Sequence, residues 1–69
     1  MENALEQYRQ RYQLSYADLA RMVGKDRATV MRHCKAMVVP EAAVARYHAK
    51  LMIPVKSLRP DLYESESKS

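Results

Sequence analysis

The chain has 69 residues, which sets the expectation of one compact domain with at most a short tail. Twelve basic and eight acidic residues leave a formal charge of +4, and 48% of the residues are apolar, with one glycine, one cysteine and neither tryptophan nor phenylalanine. That composition excludes an all-β chain, one cysteine closes no intrachain disulfide, and Cys34 with His33 and His48 falls short of four zinc ligands.

No apolar run approaches the roughly 18 residues of a membrane span, and Met1 to Glu6 lacks the basic flank and apolar stretch of a leader. A cytoplasmic protein is therefore expected. A core this small buries only roughly 60% of the surface exposed by the unfolded chain, so self-association is the expected extra support.

Leu5, Tyr8 and Tyr12 predict an amphipathic first helix over Asn3 to Tyr12, with those three inward and Glu6, Arg9 and Arg11 outward. Ser15, followed three residues later by Asp18, opens a second helix over 16–23 with Leu19, Ala20 and Val23 inward. Gly24 marks a tight turn where a left-handed backbone is wanted. Asp26 caps a third helix from Arg27 to about Met37. Pro40 starts a fourth, with Val44, Tyr47 and Leu51 inward, and Pro54 stops it. Val55 to Leu58 makes one short turn, Arg59 to Tyr63 reads as an extended arm packing Leu58 and Leu62 on the core, and residues 64–69 as a disordered polar tail. The expected fold is thus an all-α domain of four to five helices over 1–63.

Charge is concentrated. Residues 21–35 hold Arg21, Lys25, Arg27, Arg32 and Lys35 against Asp26 alone, which points to a polyanionic partner. On a wheel of about 100° per residue, Arg27, Met31, Lys35, Ala28 and Arg32 share one outward arc, and Cys34, Val30, Met37 and His33 lie on the opposite side. Arg27 and Arg32 can each donate two hydrogen bonds to guanine, and Ala28 and Met31 offer apolar contact to a thymine methyl. Tyr16, Lys25, Thr29 and Lys35 flank the arc and suit phosphate contacts. Cys34 is read as packing. His33 is expected to bond or pack against an earlier helix, His48 to lie at the surface, and the five tyrosines to edge the core. A nucleophile beside a base, paired carboxylates and a glycine-rich loop are all lacking, so the expectation is a non-enzymatic chain without cofactor, metal or small-molecule ligand.

Tyr16 to Lys35, with Ala20, Gly24 and Val30 at separations of four and six, resembles the helix-turn-helix of the phage Cro and repressor family. Lys25 stands where that family usually places an aliphatic residue. The ending Leu58-Arg59-Pro60-Asp61-Leu62-Tyr63 looks like that of YdaS-like Cro-superfamily proteins of prophages. The resemblance implies a DNA-binding repressor of phage or prophage origin in a bacterial cell. It also implies base contacts at the first, second and sixth positions of the reading helix, which fall on Arg27, Ala28 and Arg32, with Met31 beside them. The implied partner is double-stranded DNA carrying a pseudo-palindromic operator, bound by a homodimer, with Met37 to Val39 and Met52, Ile53 and Val55 as candidate contact patches. An autorepressing antitoxin and a protein-protein adaptor are the rival expectations.

Overall fold

The backbone forms six helices in the computed structural model, which describes residues 2–63. Helix α1 spans Ala4–Arg11, α2 Tyr16–Val23, α3 Arg27–Lys35 and α4 Glu41–Leu51, followed by two single turns, α5 Val55–Leu58 and α6 Pro60–Tyr63. No strand occurs among the described residues, and none of these helices is long and apolar enough to cross a membrane. The expected polar tail lies outside the described residues.

The first three helices each start on a side-chain cap. Asn3 accepts from the Glu6 amide at the head of α1. Ser15 and Asp18 exchange both bonds of a capping box at α2, and Asp26 accepts from the Thr29 amide at α3. Gly24 ends α2 at φ 73°, in the left-handed region where a β-carbon is penalised. Met52 adopts the same region at the end of α4 without being glycine.

The apolar stripes then meet. Leu5 of α1, Leu19 and Val23 of α2, Val30 of α3 and Val44 and Tyr47 of α4 are each at most 1% exposed, and burying a side chain of this size contributes about 1.5–3 kcal/mol. Helix α2 packs against α3 and α4, while α1 packs against α3 and α5.

Several expectations are corrected. The segment after Arg59 is a helical turn instead of an extended arm, because the restriction imposed by proline acts on the preceding residue alone and Pro60 itself suits a first turn. Arg59 holds it there, donating to both oxygens of Asp61 and to the Val39 carbonyl at 3.0 Å. Helix α3 stops at Lys35, and Ala36 is extended. Met37 therefore leaves the wheel on which it was core-facing and is 91% exposed.

Tyr12 caps the end of α1 and is 57% exposed, whereas Glu6, read as outward, is buried beside Arg9. Leu58 is buried as expected, but Leu62 is 39% exposed. Of the two candidate contact patches, Val39 and Ile53 belong to the core and Val55 packs against it, which leaves Met37, Val38 and Met52 exposed.

Candidate nucleic-acid interface

Helix α3 has two chemically distinct sides. Val30 and Cys34 are buried, and burial, aided by the charge of Glu6, pushes the Cys34 thiol up to about 12, so it packs as a small apolar group. On the other side Arg27, Ala28, Arg32 and Lys35 are exposed, and Met31 is half-buried. The three cations make no hydrogen bond or ion pair among the described residues. The helix thus offers a cationic face fixed in position by its opposite side.

The flanking residues are engaged to different degrees. Lys25, in the turn, is exposed and has no ion-pair partner among the described residues. Thr29 is half-buried, and its hydroxyl donates to Asp26 at 2.7 Å. Hydrogen bonds from the Thr29 side chain and backbone hold the Asp26 carboxyl below its ordinary value, so it stays ionised at the helix N-terminus. Tyr16 is half-buried, with the Arg9 guanidinium 4.3 Å from its ring centroid. Arg21, counted among the basic cluster, bonds Asp18 at 2.7 Å and adds little free charge.

Three supports were not singled out in the sequence. The Asn3 side-chain amide donates to the carbonyls of His33 and Ala36 at 2.8 and 2.9 Å, closing the C-terminal end of α3 from the start of α1. Its signal was present, since asparagine followed three residues later by Glu6 is an N-cap pattern. Arg46 of α4 donates to the Val23 carbonyl at 3.0 Å and so anchors the end of α2. Finally, Arg9 donates to both carboxylate oxygens of Glu6 and to the Leu14 carbonyl. The hydrogen bond from Arg9 outweighs the effect of burial and, with Gln10, draws Glu6 down to about 2.

His33 bonds a later helix, not an earlier one, through Nδ1 and the Tyr47 hydroxyl at 2.7 Å, with the two rings edge to face. Burial, and then the charges of Arg32 and Lys25, hold it below its ordinary value. His48 is exposed, with Nδ1 at 2.8 Å from the Ile53 carbonyl oxygen. No group of three or more potential metal ligands gathers among the described residues. Compared with known protein families, curated proteins and solved structures, the chain shows no match.

Proposed function

We propose that the chain is a sequence-specific DNA-binding regulator that reads duplex operator DNA through α3 and acts as a Cro-like repressor of phage or prophage origin. The observation carrying this reading is the outward side of α3, where the side chains of Arg27, Ala28, Arg32 and Lys35 make no hydrogen bond or ion pair among the described residues, behind a tight glycine turn. Cations used for folding are bonded to the fold, as Arg9, Arg46 and Arg59 are. Those on α3 are available to a ligand.

The width of α3 suits the major groove, which admits one α-helix. Arg27 and Arg32 serve as the guanine readers, with Ala28 and Met31 beside them. Lys25 and Lys35 supply phosphate contacts at the edges, Tyr16 and Thr29 lesser ones. One nine-residue helix covers too few base pairs for operator specificity, so two copies bind half-sites about one helical turn apart. Met37 and Val38 of one candidate patch and Met52 of the other, exposed although apolar, support pairing.

The test is duplex binding as a function of salt. Affinity is expected to fall steeply between about 50 and 200 mM salt as counterions are released, with two chains per operator at saturation. Binding that is absent at low salt, or indifferent to it, overturns the reading and favours a protein-protein adaptor.

A further inference from the structure

Beside the outward face of α3 lies a cleft of about 240 Å³, closed on its far side by α4. Lys25 of the preceding turn and Thr29 and His33 of α3 follow one another along one wall at intervals of four residues, and Arg46 and Tyr47 line the α4 wall. Three nitrogen-bearing side chains from the turn, α3 and α4 therefore converge on one small space. No carboxylate lines it among the described residues.

Arg46 uses one N–H on the Val23 carbonyl and keeps its other donors, while the ammonium of Lys25 has no ion-pair partner among the described residues. The first turn of α4, which no side chain caps, opens on the same space.

We propose that this cleft seats one phosphate group of the nucleic-acid backbone, held by Lys25 and Arg46, and that His33 takes up a proton from solvent as the phosphate is seated. The proposal rests on the DNA-binding reading above and adds a site and a pH response to it. The stripe of Lys25, Thr29 and His33 adjoins Arg32 on the helix, so a backbone strand bordering the groove passes the mouth of the cleft.

The charged groups around His33 are Arg32 on its own helix, Lys25 in the turn and Arg46 on α4. Tyr47 faces Nδ1, and Asn3 bonds the backbone carbonyl. In the free protein burial, and then the charges of Arg32 and Lys25, disfavour the imidazolium. A phosphate between them reverses the balance. Because binding and protonation are reciprocally linked, affinity for DNA then rises as pH falls through the histidine range.

The imidazole resonances of His33 and His48 in the whole chain are followed against pH by NMR, free, with a 20-base-pair duplex (about two helical turns) and with inorganic phosphate alone. The expected result is a rise of about one unit in the His33 midpoint with duplex, no comparable change at His48, and a roughly tenfold gain in duplex affinity at constant salt between about pH 8 and 5.5. Lys25→Gln reduces both. Duplex binding that leaves the His33 midpoint in place overturns the cleft while the DNA-binding reading stands.

A rise with inorganic phosphate in a protein that binds no duplex sinks the DNA-binding reading and the assignment to nucleic-acid backbone, leaving a free-phosphate site. The same holds for the backbone assignment alone if duplex binds without effect and only free phosphate moves His33. A protein that binds no duplex and whose His33 moves with neither ligand removes both ideas. Because the NMR measurement uses the unaltered protein, a failure of His33→Gln or Arg46→Gln to fold leaves the test intact.

Discussion

The unit α2–α3 and the frame made by α1 and α4–α6 are held by different kinds of contact. In α2–α3 the decisive bonds join residues three apart: Ser15 with Asp18, Asp26 with Thr29, and a single left-handed glycine between the helices. In the frame they cross the molecule, with Asn3 closing α3 from 30 and 33 residues away, Arg46 anchoring the end of α2 from 23, and Arg59 holding the Val39 carbonyl from 20. The α2–α3 unit shapes itself locally, and the frame sets its placement.

If that division is right, Asn3→Ala is the most damaging single change. It removes an N-cap, worth about 1 kcal/mol, and strips two α3 carbonyls of their donor, at about 1–3 kcal/mol for each group left unsatisfied. Because both bonds are only part-buried, a loss near the low end of that sum, about 3 kcal/mol, is expected by denaturant titration, a large share of what a chain of this size possesses. Asn3→Asp keeps the cap acceptor and still loses the donors, so an Asn3→Asp variant as stable as the parent would break the comparison.

Acid tests a contact inside the frame that is local, the Glu6–Arg9 pair of α1. Glu6 ordinarily titrates near 4.5 and is held at about 2 in the fold by Arg9. Its contribution is therefore complete above about pH 4.5 and is lost as the pH falls from there towards 2. That contribution is on the order of 3 kcal/mol. In Glu6→Gln the melting temperature is lower at neutral pH, and less of the acid-induced drop remains below pH 4.5.

Gly24→Ala probes the local unit. A β-carbon at position 24 meets Arg46 Nη1 at 3.7 Å, an ordinary contact, so the penalty comes from φ 73° alone. About 1–2 kcal/mol is expected, seen as a fall of several degrees in melting temperature. A larger loss means that the turn depends on its approach to α4 and is less self-contained than its caps imply.

The smallest effect on stability is expected at the outward face, where Arg32→Ala leaves melting almost unchanged. The same variant is expected to weaken operator binding by about 1–3 kcal/mol and relax preference at one base position. An equal loss on random duplex reassigns Arg32 to a phosphate contact.

The contrast also explains what could be read from the residues alone. Caps, the glycine turn and the inward stripes of α2 and α4 follow rules that span a few residues, and helix α2 lies where Ser15 and Gly24 place it. The outward set on α3 follows from the same periodicity. What was missed depends on which elements meet: Glu6 looks solvent-facing until Arg9 bonds it against the core, and Asn3 looks like a cap with nothing to indicate that its amide reaches α3. Helical phase also fails beyond the last hydrogen-bonded turn, which is why Met37 and Val39 exchange their expected positions.

The outward residues of α3 have a consequence for adaptation. The side chains of Arg27, Ala28, Arg32 and Lys35 have no part in any cap, core contact or ion pair among the described residues, so exchanging them for other helix-compatible side chains leaves the bonds that hold the helix in place. Selection acting on that surface is decoupled from selection for folding, and variants with new binding preferences lie one or two substitutions apart without passing through unfolded intermediates. A library randomised at these four positions is therefore expected to stay folded almost throughout while its members differ in what they bind.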